Sequence, residues 1–181
     1  MKKSSLIILI SLVFTLAIII LGYIMLGTLP MLLFTSGFLG GFILWLIVPT
    51  NASFDTIRVP YFLTLGLFVL HKIEERKMDF FPRLSEITGV PLPETDSPLV
   101  YLLYTLAGAW LLIPYLIKHH NSFGYYLAWT FFTSMGVIEL AHFLFPFFIK
   151  GPYSYFPGMV SVIPLAPAAW WGLWRLSREV R

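Results

Sequence analysis

From Leu6 to Leu26 the chain reads "LIILISLVFTLAIIILGYIML", without one charged residue. A helix of about 20 apolar residues is what crosses the hydrocarbon of a bilayer. Lys2 and Lys3 ahead of the run resemble the start of a signal peptide. The run is longer than a typical h-region of about 7–15 residues, and no A-x-A-like cleavage site follows. It reads as a retained transmembrane helix. Five more stretches have the same character, roughly 30–49, 59–76, 98–117, 123–149 and 157–176. The expectation is an all-α, polytopic integral membrane helical bundle of about six transmembrane helices. Residues 1–181 would form a single transmembrane domain.

Composition argues the same way. The chain is 58% hydrophobic and 12% charged, whereas a soluble domain carries about 25% charge. A net charge of +3 is too weak and scattered to attract nucleic acid, so the expected partner is the lipid bilayer. With no cysteine, disulfides and thiolate metal sites are excluded.

Turn chemistry separates the spans: "GTLP" at 27–30, "PTNASFDTIRVP" at 49–60, "KHHNSFG" at 118–124 and "KGPYSYFPG" at 150–158. The third span is expected to start near Pro60. The fourth is expected to start at Ser97–Pro98, a serine N-cap followed by proline in the first turn. Residues 77–97 form the one long loop, in which "PRLSEITG" can make a turn or two of surface helix ending at Gly89. With the termini inside, the inner face carries Lys2, Lys3, Arg58, Lys118, Arg175, Arg178 and Arg181. The outer face carries Lys72, Arg76, Lys77, Arg83 and Lys150. The excess favours cytoplasmic termini in a multi-pass cell-membrane protein. Asn51 in "NAS" then faces the cytoplasm, which discounts it as a glycosylation site. Trp170, Trp171 and Trp174 read as an interfacial anchor.

The third and fifth spans run parallel, so polar residues near their ends share a depth. His71, Glu74 and Glu75 in "HKIEE" have i,i+3 and i,i+4 spacing, and Glu139 and His142 in "ELAH" are i,i+3. Both spacings put side chains on one helical face. Helical bundles hold metal ions with such inward Glu-x-x-His pairs, and imidazole with carboxylate suits zinc, iron or manganese. The candidate ligands are His71, Glu74, Glu139 and His142. Glu75 and Glu139 are the candidate catalytic carboxylates. Glu74 and Glu75 also fit a solvated helix end, balanced by Arg76 and Lys77. Glu139 has almost no polar company, and an unpaired charge there would cost about 2.5–3.5 kcal/mol or more. A metal-free Glu–His network satisfies it as well. Tyr101, Tyr104, Thr105, Thr35, Ser36 and Ser161 fall in the same outer half. His119 and His120 belong to the opposite side of the bilayer and to a solvated role.

"LHKIEERKMDFFP" resembles the signature of the HXXEE-domain proteins, a family of polytopic membrane proteins. His71, Glu74 and Glu75 match the named positions, and Phe81–Pro82 matches the Phe-Pro element that follows. His142 matches the later histidine, and Tyr155-Phe156-Pro157-Gly158 matches the segment that opens the last helix. The resemblance covers about residues 60–176, with 1–50 forming two leading transmembrane helices. Where many members carry an amide-bearing residue upstream of the later histidine, this chain has Glu139. The resemblance implies a fold and a site, and names no substrate.

Three functions fit these residues. One is a metal-dependent membrane enzyme acting on a lipid-like small molecule. Another is a small transporter or proton-coupled permease, whose inverted repeats the sequence does not display. The third is a structural or accessory membrane protein with a buried Glu/His network.

Overall fold

The computed structural model describes residues 3–91 and 98–178. Among them every element is helical. Helix α1 is Ser5–Leu26, capped by Ser4, whose hydroxyl accepts from the Ile7 amide. Helix α2, Thr28–Ile47, carries a π-helical turn at Thr35–Leu39. Helix α3 is Phe54–Lys77 and α4 is Phe80–Thr88. Helix α5 covers 98–118, with a 3-10 segment at Ala109–Leu112. Helix α6 covers 122–148, and α7 is Met159–Ser177. Among the described residues, helices α1, α2 and α3 are the three long and apolar enough to cross a membrane. Their length and composition fit a membrane protein.

The third span starts at Phe54, earlier than expected, and Pro60 lies inside it. Proline has no amide hydrogen, so the carbonyl four residues back loses its helical partner. That carbonyl belongs to Thr56, and Arg175 Nε of α7 donates to it at 3.0 Å. Helix α4 is the expected surface helix, closed by Gly89 in the left-handed region at φ 67°. Ser97, the expected cap of the fourth span, lies outside the described residues.

Helix α6 is the centre of the molecule. Every residue of its regular first part, Ser122–Thr133, is buried except the half-buried Phe123. Helix α2 meets it at Gly41, where a side chain would come within 2.7 Å of the Thr130 Cα. Single polar bonds cross the packed faces. Thr15 Oγ1 of α1 lies 2.8 Å from Tyr126 OH, and Trp110 Nε1 of α5 donates to Thr130 Oγ1 at 3.3 Å.

Helices α3 and α7 are antiparallel neighbours. Arg175 reaches Thr56 at one end, and the Ser161 amide donates to Glu74 at the other. Eighteen residues separate Thr56 from Glu74 along α3, about 27 Å of rise. The start of α7 is thereby held beside the end of α3.

Candidate metal centre

After Thr133, α6 stops being a regular helix. Ser134–Ile138 is π-helical, and Glu139–Phe143 follows as a 3-10 segment. A π turn takes a carbonyl out of its usual pairing. Trp170 Nε1 of α7 donates to the Gly136 carbonyl at 2.8 Å. In a 3-10 segment, side chains three apart eclipse. Glu139 and His142 are three apart, so both point the same way. They point at α3, where His71 and Glu75 lie one α-helical turn apart.

Four side chains meet there, all buried: His71, Glu75, Glu139 and His142. His71 Nε2 lies 3.2 Å from Glu75 Oε1 and 3.1 Å from Glu139 Oε2. His142 Nε2 lies 3.3 Å from each of the same two oxygens. All four donor atoms are within 4.8 Å of one another. Nitrogen and oxygen donors about 2.0–2.2 Å from a tetrahedral zinc lie about 3.3–3.5 Å apart. The four nitrogen–oxygen distances of 3.1–3.3 Å come within about 0.2 Å of that range.

Hydrogen bonds outside the group fix which ring nitrogens face inward. His142 Nδ1 is bonded to the Pro157 carbonyl. A carbonyl only accepts, so Nδ1 carries the proton. His71 Nδ1 lies 2.8 Å from Ser161 Oγ, whose hydroxyl donates to the Gly158 carbonyl at 3.2 Å. Ser161 therefore accepts from His71. In their neutral forms both imidazoles turn a bare Nε2 to the centre, where two carboxylate oxygens also face. Lone pairs converging this way require a cation or added protons between them. Outer hydrogen bonds of this kind orient imidazole ligands of metal ions.

Two more residues complete the arrangement. Lys72 Nζ donates to Glu75 Oε2 at 2.8 Å and lies 3.7 Å from Glu139 Oε1. The outer carboxylate oxygens thus face an ammonium, and the inner ones face the imidazoles. Gly158 precedes α7 at φ 96°. A Cβ there would come within 2.5 Å of the His142 ring and 2.7 Å of His71. Glycine is required twice, by its conformation and by the two rings against its backbone.

The structure puts Glu75, not Glu74, with the histidines and Glu139. One residue is a rotation of about 100° on a helix, and Glu74 turns to α7 instead. It accepts from the Ser161 amide at 2.8 Å, the Val160 amide at 3.2 Å and the Tyr155 hydroxyl at 2.6 Å. These amides belong to the first turn of α7 and have no partner within their helix. Glu74 is a cap supplied by a neighbouring helix, with its charge at the positive end of the dipole. Partial burial, and then the bond to Glu74, push the Tyr155 phenol up to about 12. By holding the α7 start, Glu74 holds Ser161 to His71 and the Pro157 carbonyl to His142.

His119 and His120 lie at the other end of the molecule. Lys118 beside them sits over the ring of Phe54, at the start of α3, and His119 Nδ1 bonds its own Tyr115 carbonyl at 2.7 Å. Sequence reasoning passed over Lys72 as a site residue, although its i,i+3 spacing to Glu75 was a signal. It also passed over Gly158 and the Pro157 carbonyl, whose only sequence signal was "YFPG". No family model matches the chain, and no curated protein or solved structure matches it either.

Proposed function

We propose that this protein is a metal-dependent integral membrane enzyme acting on a lipid-like substrate. The observation that carries this reading is the convergence of two bare imidazole Nε2 atoms and two carboxylate oxygens at 3.1–3.3 Å. His71, His142 and Glu139 hold one zinc, iron or manganese ion. Catalytic zinc sites keep three protein ligands and an open position for water. A bound ion would supply Lewis acidity and ease loss of a proton from water at its open position, and Glu75 would take that proton as general base. Attack of the water oxygen on the carbonyl carbon or phosphorus of an ester, amide or phosphoester would break the bond to the leaving group, and Glu75 would return its proton to the departing oxygen or nitrogen.

Six membrane spans with cytoplasmic termini belong to the same reading, as does membership of the HXXEE-domain family. Exposed apolar side chains on α5 and α7 support the additional spans, among them Leu111, Tyr115, Val160 and Ile163. In this topology the metal group faces the outer half of the bilayer.

A second reading draws support from Lys72. An ammonium already touches both carboxylates, and one added proton on a histidine would neutralise the group without metal. The protein would then be a proton-coupled carrier or a structural membrane protein. Metal analysis of the detergent-purified protein by mass spectrometry decides between the readings. About one ion per chain is expected, and less than a tenth of that in a His71→Ala/His142→Ala variant. A parent still metal-free after zinc, iron and manganese are each added back gives the second reading its place.

A further inference from the structure

The surroundings of the group are not alike on all sides. Toward α4 it is covered by aromatic rings. Phe80 lies 5.2 Å from the His142 ring, Phe145 5.6 Å and Phe156 6.0 Å. Phe145 and Phe156 are themselves buried. At the outer carboxylate oxygens the cover is Lys72, whose side chain is 43% exposed while Glu75 and Glu139 are below a tenth. Lys72 lies over the ring of Phe68. Its neighbours Val69, Leu70 and Ile73 on α3 are exposed and apolar. This side of the group looks out sideways, across a surface suited to lipid.

Depth adds to the argument. Lys72 lies five residues before the end of α3 at Lys77, about 7–8 Å of rise. Helix α4 follows, its Leu84 packed into the protein core and its Arg83–Glu86 pair exposed. The end of a spanning α3 lies toward the headgroups, where the phosphate and ester groups of lipids are.

Charge selects the ligand. A divalent ion among Glu75 and Glu139 neutralises both carboxylates. The ammonium of Lys72, 2.8 Å from Glu75 Oε2, then leaves the group with one net positive charge. A phosphate oxyanion balances it. We propose that Lys72 is a substrate-binding residue, taking the phosphate of a phospholipid that reaches the group sideways from the bilayer across the exposed apolar face of α3. This rests on the reading of the group as a lipid-acting metal site, and the experiment separates the two.

Native mass spectrometry of the metal-loaded, detergent-purified protein with dioleoylphosphatidic acid is the test. The parent is expected to retain the lipid. Lys72→Gln loses about tenfold or more in affinity, the worth of a charged hydrogen bond. Lys72→Arg, which keeps the charge, stays within about threefold of the parent. Dioleoylglycerol, which lacks the phosphate, is not retained. Equal retention of phosphatidic acid by Lys72→Gln and the parent overturns the proposal, provided that circular dichroism shows the same helix content. Displacement of the lipid by an equal concentration of inorganic phosphate also overturns it, because the site then faces water. Metal content is measured on the same samples. A metal-free parent overturns the metal reading alone, and lipid retention that still depends on Lys72 upholds the assignment of that lysine.

Discussion

The two parts of α6 treat polar groups in opposite ways. In Ser122–Thr133 the helix is regular, and four of its side chains, Tyr125, Tyr126, Trp129 and Thr130, make hydrogen bonds in pairs across packed faces. Tyr126 meets Thr15, Trp129 donates to Thr50 Oγ1 at 2.9 Å, and Tyr125 donates to the Ala52 carbonyl at 3.1 Å. Each such bond ties one helix or loop to the next and leaves no lone pair facing another. Beyond Thr133 the helix passes through π and 3-10 geometry, and two of its polar side chains, Glu139 and His142, join a group of four. Here acceptors face acceptors. The first arrangement is stable as it stands, while the second needs an ion or protons to be stable. Irregular backbone is the means. Eclipsed side chains at Glu139 and His142 reach one point together, and Trp170 satisfies the carbonyl that the π turn releases.

The sharpest way to break this contrast is Glu139→Gln. It keeps the size of the side chain and removes one anionic ligand. Isothermal titration with zinc should give an affinity lowered by more than the roughly 100-fold that loss of an outer hydrogen-bond partner costs. Unchanged zinc binding would mean that the irregular half is not the ion's site.

Gly158→Ala should come next. Its Cβ would meet both imidazoles, and a left-handed backbone costs a non-glycine residue about 1–3 kcal/mol. Thermal unfolding followed by circular dichroism should show the loss in stability, with metal content falling in parallel. A variant with parental stability and metal content would show that the rings do not depend on that close approach.

Glu74→Gln has a smaller effect with a different signature. Overall helicity should persist, while zinc affinity falls by about 10–100-fold through loosened Ser161 and Pro157 contacts. The nitrogen chemical shifts of labelled histidines should show the Nδ1–H tautomer less completely populated. A lower melting temperature with unchanged tautomers and zinc affinity would reduce Glu74 to a plain helix cap.

Tyr126→Phe, in the regular half, should have the smallest effect. Removal of the hydroxyl costs about 1 kcal/mol of stability and leaves zinc affinity within about twofold, a shift below 0.5 kcal/mol. A large loss of metal in this variant would erase the distinction between the two halves.

Much of this was legible in the residues. Ser5–Leu26 forms a helix because its apolar run carries no charged residue, and Gly89 ends α4 because glycine takes the left-handed conformation freely. His71, Glu139 and His142 were singled out by spacing, and the structure brings them together. Other features were hidden. Pro60 reads as a helix start, yet it sits inside α3 because Arg175, far along the chain, satisfies Thr56. Apolar length expects one continuous helix over 123–149, but π and 3-10 segments interrupt it where Trp170 of α7 bonds the Gly136 carbonyl.

The sequence by itself determined that this chain is helical and apolar, and that histidines and carboxylates gather near the ends of two of its helices. Local spacing and hydropathy carry that information, since both act within a few turns of chain. Tertiary structure alone decided between Glu74 and Glu75. Both lie one turn from His71, and about 100° of helix rotation separates them. The amides at the start of α7 are met by Glu74, which leaves Glu75 to the histidines. Such a choice depends on where a helix more than 80 residues away places its unpaired amides, and no local pattern encodes it.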